Sequence, residues 1–301
     1  MTILRSDQRK QLQLGLNAVV GLAYNEYPDL WPDIFVESPS EKAYEEDVMM
    51  TGTAAADVKP EGSAIDYDDM YETFVARYQH STIVKAVAIT EEAVEDNLYL
   101  TMGSQIARAM ARSMKFTKEL RRGNILNFAF ASTNPGGDGV SLLNPNHPLG
   151  GGGVLSNMLA TSAQLSEAAM EQLSIQIAEW LDERGIPVRA MIKKLVIPTE
   201  LQFIAARLLM TPYQPDTGDN NINAIFKLGT IRDGFSVNRY LTSPTAWFLI
   251  TDVPDGLRAF QRRPLKKGLE GDFETGNLRY KLTERYSEGW TNPRGVAGSG
   301  N

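Results

Sequence analysis

Carboxylates are the most abundant reactive groups in this 301-residue chain, with 37 Asp and Glu against 30 Lys and Arg. A pair of them could divide the roles of acid and base, but such a pair needs burial to drive its two pKa values apart. Sequence spacing singles out no such pair. The densest acids are Glu41, Glu45, Glu46, Asp47, Asp57, Glu61, Asp66, Asp68, Asp69 and Glu72, opposed only by Lys42 and Lys59. They surround TGTAAADVKPEGSAID, a small-residue stretch that cannot build a core, so they read as a solvated protrusion. His147 lies in NPNHPL, a loop where a nucleophilic triad could place its base. No cysteine and no G-x-S-x-G elbow is present to serve it, so a turn-fixing hydrogen bond is the simpler role. His80, in RYQHS, reads as a strand residue beside the long helix described below. Without cysteine, and with two histidines, disulfides and thiolate metal sites are excluded and a multi-histidine centre nearly so. The GGGG at 150–153 lacks the Lys-Ser or Lys-Thr of a phosphate loop and reads as a flexible linker. No catalytic residue, metal or cofactor is expected.

Two basic groups remain. Arg258, Arg262, Arg263, Lys266 and Lys267 cluster within GLRAFQRRPLKKG. They could hold phosphates without reading a base sequence. Complementary charge favours instead the acidic protrusion of an adjacent copy. The second group is Arg108, Arg112, Lys115, Lys118 and Arg122, at helical spacing opposite an Ile106, Met110, Met114 stripe. These five would present a basic face to a polyanion or an acidic neighbour. The whole chain carries −7, but residues 1–100 hold 19 acids and 7 bases while the remainder holds 18 and 23. Such asymmetry can drive head-to-tail contact between copies.

The elements that must position these groups follow from periodicity. Thr101 to Ala131 is the longest helical run, free of proline, with Gly123 as its one internal point for a kink. Residues 2–24 form an amphipathic arm that needs a neighbour to order it. Tyr27 to Phe35 carry aromatics beside Pro28 and Pro32 and read as extended. The acidic stretch is expected to be a protruding loop or long hairpin, returning through YETFVARYQHSTIVKAVAIT as strand. Residues 132–157 hold seven glycines and three prolines and read as loop. Thr161 to Arg184 reads as a helix capped by Ser166 and stopped by Gly185. A buried strand at 191–197, a helix opened by Pro198, and strands at 235–240, 246–251 and 278–283 complete the pattern. Helix and strand are mixed without βαβ alternation, which argues α+β. No apolar run reaches the length of a membrane span, and the start lacks a signal-peptide core, so no membrane partner and synthesis in the cytoplasm are expected.

The last third carries a resemblance. The strand Trp247 to Ile250, the D-x-x-x-G-L at Asp252 to Leu257, the strand Leu278 to Leu282 and the closing G-W-T-N-P-R-G-V at Gly289 to Val296 resemble the C-terminal region of tailed-phage major capsid proteins. DGVSLLNPNHPL at 138–149 is similar to the loop after the long helix in Mu-like major head subunits. The order of parts agrees. The resemblance implies an N-terminal arm over 1–32, an extended loop within 33–80, and a peripheral domain over 81–159 built on the long spine helix. It further implies an axial domain over 160–250 and a return to the peripheral domain with the C-terminal segment over 251–301. It implies a structural, non-enzymatic subunit that forms pentamers and hexamers of an icosahedral head around double-stranded DNA, made in the host cytoplasm and carried in the virion. Portal, scaffolding and decoration proteins are the partners that follow. An encapsulin-like cellular compartment shares the fold and is the alternative. Some relatives cross-link a loop lysine to an asparagine; Lys59 and Asn292 do not reproduce that motif clearly. Glu45, Glu46, Asp47, Lys59, Asp66, Asp68 and Asp69 would then meet Arg258, Arg262, Arg263, Lys266 and Lys267 across a subunit boundary. The acidic excursion is expected to lack a partner within its own chain.

Overall fold

The computed structural model describes residues 5–26, 28–65, 67–90, 99–213, 221–272 and 276–300. Asp66 lies outside the described residues.

The arm is a helix, α1 (Arg5–Glu26), and it finds its neighbour within the chain. Leu16, Val20 and Ala23 recur at one helical face and are buried against Ala107, Met110, Ala111 and Met114 of the spine helix α2 (Tyr99–Asn127). Tyr280 and Leu282 close this small core from beneath.

The first sheet has four strands in the order β1 (Val36–Pro39), β10 (Leu257–Gly271), β11 (Leu278–Trp290), β4 (Ser81–Ile89). β10 and β11 form a long antiparallel ribbon whose register shifts on both sides of Arg263. β1 joins the ribbon in parallel over Arg258 to Gln261, and β4 joins antiparallel over Leu278 to Tyr286. Both edge strands then leave the sheet. They continue as β2 (Tyr44–Met50) and β3 (Glu72–Gln79), which pair only with each other. The expected single returning strand is thus two, broken at His80 because its halves belong to different sheets.

The second sheet has the order β12 (Val296–Ser299), β9 (Trp247–Thr251), β7 (Ile192–Ile197), β8 (Phe235–Val237). Its core gathers Trp180, Leu195, Ile197, Trp247 and Leu249 with α3 (Glu167–Ala178) and α4 (Gln202–Met210). A short helix, Ala224–Leu228, packs beside them. Ser166 caps α3, its Oγ accepting from the Ala169 amide at 3.3 Å. α3 stops at Ala178 rather than running to Arg184, because Trp180 turns into the core and donates to the Ser156 carbonyl. Gly185, with φ +84°, serves the turn that follows. A third core joins the two sheets: Trp31 and Phe35 meet Leu126, Phe248, Ile250 and Trp290. Among the described residues no helix is long and apolar enough to cross a membrane.

The glycine run at 150–153 is not a flexible linker. It turns between two short strands, β5 (His147–Pro148) and β6 (Val154–Leu155), with Gly152 and Gly153 at positive φ. The Gly150 amide donates to Glu183, and Gly150's carbonyl accepts from the Tyr71 hydroxyl at 3.1 Å. His147 is fully buried and fixes the preceding loop, with Nδ1 2.6 Å from Asp138 Oδ2 and Nε2 3.2 Å from the Leu142 carbonyl.

Candidate inter-subunit surface

The β2–β3 hairpin projects from the point where the β10–β11 ribbon shifts register. A two-stranded hairpin is at best marginally stable in water without something to cover a face. This one exposes Tyr44, Val48, Met50 and Val75 along its strands, and its tip carries Val58 at 94% and Tyr67 at 88% exposure. Among the described residues of the tip, 51–71, no cluster of core residues forms. The sequence therefore builds a long arm of apolar and acidic side chains with little of its own to hold it.

Its root is held, however, by the same chain. Arg258 Nη1 lies 2.7 Å from Asp47 Oδ2 and 3.0 Å from Asp255 Oδ1. The Thr291 hydroxyl reaches Asp47 Oδ2 at 3.2 Å, and the Tyr78 hydroxyl lies 2.5 Å from Thr291 Oγ1. Tyr78 packs edge-on against Phe260. Glu46 pairs with Arg77 across the hairpin at 2.7 Å. Glu45 accepts from the Ser40 hydroxyl at 2.7 Å and lies 3.3 Å from Lys42, and the Ser40 bond holds its carboxyl below the usual range. Nearer the tip, Arg184 reaches Asp68 at 3.3 Å and donates to the Asp69 carbonyl at 2.6 Å. The expectation of an acidic excursion without internal partners is corrected here. Acids distant in sequence from Arg184 and Arg258 are brought beside them by the two edge strands. Lys59 stays on the exposed tip.

The basic cluster is likewise partly committed. Arg262 donates to the Lys42 carbonyl at 3.0 Å, and Lys267 donates to the Asn17 carbonyl at 2.7 Å. Arg263 is half-buried at the register shift, and Lys266 is exposed. The cluster forms the middle of β10, a strand that charge alone did not reveal.

The spine helix departs further from expectation. Arg108 and Arg112 are exposed, but Lys115, Lys118 and Arg122 are buried. Lys115 pairs with Asp29, Arg122 with Glu37, and Lys118 with Glu284 at 3.1 Å. Arg121 adds a 2.5 Å contact to Glu288. The helix is packed on more than one side, so three of the five bases opposite its methionines meet acids of the same chain, Glu284 buried and Asp29 and Glu37 partly exposed. Glu119, on the same helix, has its carboxyl pushed up to about 7 by burial and then by the charge of Asp29.

A cleft of about 690 Å³ lies between β3 and the end of the spine helix, lined by Arg77, Tyr78, Arg121, Phe128 and Trp290. It gathers basic and aromatic side chains, with Glu288 held by Arg121 at its wall.

The arrangement is an exposed hairpin rooted on a ribbon, a helical arm, and two sheets. From residue 73, the returning strand of the hairpin, to residue 299, the last strand, the sequence matches the family described as phage capsid protein. The chain belongs to that family. Phage capsid proteins are structural shell subunits, and the mixed helix-and-sheet fold agrees with solved capsids. The virus-like particle from Pyrococcus furiosus aligns with a TM-score of 0.56 at 11% identity, covering 98% of this chain and 100% of that one. The procapsid of bacteriophage JBD30 aligns at 0.55 and 14%, covering 99% and 76%. The holo-SrpI encapsulin from Synechococcus elongatus PCC 7942 aligns at 0.53 and 11%, covering 89% and 87%. Comparison with curated proteins finds no match. As a phage capsid protein, the chain is placed in the virion, and its subunits join one another in a shell.

Proposed function

We propose that this chain is the major head subunit of a tailed phage, assembling as pentamers and hexamers into an icosahedral shell around double-stranded DNA. The family match over residues 73–299 carries the reading, and the exposed hairpin supports it. In this reading the sheet of β1, β4, β10 and β11 with the spine helix is the peripheral part, and the sheet of β7, β8, β9 and β12 is the axial part. The hairpin tip, with Lys59, Asp68 and Asp69, reaches a neighbouring copy, and exposed Lys266 lies on a receiving surface. Arg108 and Arg112 are the residues of the spine that still face outward for packaged DNA or a neighbour. Portal, scaffolding and decoration proteins would complete the head.

An encapsulin-like compartment shares the fold and differs in its contents. Electron microscopy of the purified chain, followed by analysis of what the particles enclose, tests both. Closed shells or capsomer rings are expected, with nucleic acid inside particles recovered from an infected host. A persistent small monomer would count against any shell role, and a protein cargo would favour the compartment.

A further inference from the structure

The hairpin leaves the body through two short connections, and one buried histidine sits between them. His80 joins β3 to β4, and Ser40 follows β1 on the opposite leg. His80 Nε2 lies 2.9 Å from Ser40 Oγ, and Nδ1 lies 3.0 Å from Ser287 Oγ on β11. His80 and Ser40 are 6% exposed and Ser287 is 2% exposed.

Donor accounting fixes the direction of every bond. Ser40 has one hydroxyl proton, and it goes to Glu45 Oε1 at 2.7 Å. Ser40 Oγ must therefore accept from His80 Nε2–H, and it also accepts from the Lys42 amide at 3.3 Å. Its hydrogen-bonding capacity is then full. The neutral ring leaves Nδ1 bare, so Ser287 donates to it. The chain runs Ser287 to His80 to Ser40 to Glu45, and it ties both hairpin legs to the centre of the sheet.

We infer that Ser287, His80, Ser40 and Glu45 form a hinge lock that sets the direction of the β2–β3 hairpin, and that acid opens it. The inference deepens the reading of the hairpin as the contact between copies and rests on it for its biological meaning. The lever is long: seven strand residues at ~3.4 Å each reach about 24 Å, so a 20° swing moves the end by about 8 Å. Such a displacement separates engaged from disengaged.

The charges around the ring decide the response to pH. Arg262 of β10 and Arg285 of β11 face it, Glu45 and Lys42 lie on the outgoing leg, and Arg121 of the spine helix reaches neighbouring Ser81 at 3.4 Å. Burial, then Arg285, holds the imidazole below its ordinary 6.5, with Glu45 opposing and Arg262 adding a little. A proton arriving at Nδ1 turns that atom from acceptor to donor. Ser287 must then turn its hydroxyl proton elsewhere and accept from the ring instead, and a buried positive charge appears beside two arginines. The folded ring binds fewer protons than the unfolded one. Its contribution is complete above pH 6.5 and is lost as pH falls through the depressed folded value.

The chain has no cysteine, so Val58→Cys and Ala109→Cys place two spin labels cleanly on the tip and the exposed side of the spine helix. Pulsed electron spin resonance on the full-length, unassembled subunit reads the distance between them. A single narrow distribution is expected at pH 7.5, broadening reversibly as pH is lowered until the His80 imidazole takes up its proton, which NMR follows on the same chain. Ser40→Ala and Ser287→Ala, each in the labelled chain, are expected to broaden it already at pH 7.5. Amides of β2 and β3 should exchange on the order of tenfold faster in both variants. An unchanged distribution once the imidazole is protonated, or native-like distributions in both variants, overturns the lock. Shell formation at pH 7.5 is scored separately by microscopy. A failed lock leaves that result untouched, and missing shells with a working lock strike the assembly reading alone.

Discussion

Lys118 Nζ lies 3.1 Å from Glu284 Oε1, with both side chains buried where arm, spine helix and ribbon meet. Gln261 joins them, its Oε1 accepting from Lys118 at 3.1 Å and its Nε2 donating to Glu284 at 2.9 Å. The Tyr24 hydroxyl donates to the other Glu284 oxygen at 3.1 Å. Burial, aided by the Glu284 charge, pushes the Tyr24 phenol well above its ordinary range, so it stays a donor. Such a network specifies geometry more than it adds net stability, because desolvating the ions offsets most of their attraction. Removing one ion is a different matter. Lys118→Ala should cost about 3–5 kcal/mol in chemical denaturation, since Glu284 is left buried and unpaired. Lys118→Met with Glu284→Met should recover much of that loss.

Glu119 gives a prediction with a sign. Its folded carboxyl, up at about 7 from an ordinary 4.5, holds a proton that the unfolded chain has already released. Stability therefore falls as pH rises from 4.5 through 7. Glu119→Gln should be more stable than the native chain at pH 8, by on the order of 1–3 kcal/mol. The gap should close below pH 4.5, as read from melting temperature against pH.

Deleting residues 50–64 removes most of the exposed tip and none of the three main cores. The deletion should leave a soluble, folded subunit with a near-native melting temperature that makes no closed shells. Normal shells by microscopy would rule out the tip as a clasp.

Gly295 and Gly256 meet backbone to backbone. A Cβ on Gly295 would fall 2.3 Å from Gly256 Cα, where no side-chain motion can relieve it. Gly295→Ala should therefore lose roughly 1–3 kcal/mol, comparable to an overpacked core site, in denaturant titration. Gly139→Ala, at an uncrowded position with φ +82°, tests backbone strain without that collision.

Much of the fold was legible because local chemistry and tertiary role agreed. Ser166 announced its helix, the Met110 and Met114 stripe announced the spine, and the small acidic stretch announced a protrusion, loop or hairpin, that the structure forms as a hairpin. What stayed hidden depends on partners far along the chain. Lys118 reads as a surface charge until Glu284, 166 residues away, is placed against it. Arg122 and Lys115 hid in the same way, behind Glu37 and Asp29. β10 was obscured because Arg262, Arg263, Lys266 and Lys267 interrupt the alternation that marks a strand, and Pro264 and the register shift break it again. Within the candidate surface, exposure of the tip was readable from composition. The grip of Arg184 and Arg258 on the hairpin was not, since neither is near it in sequence.

The two legs of the hairpin descend from opposite margins of one sheet, β1 and β4. A tug on the tip is consequently shared between four residue pairs on one flank and nine on the other, with the long ribbon between them strained along its length. Hydrogen bonds loaded together in shear give way far less readily than bonds peeled one after another. A container under outward pressure would pass that load through the edges of this sheet, with Arg184 and Gly150 taking a further share near the tip.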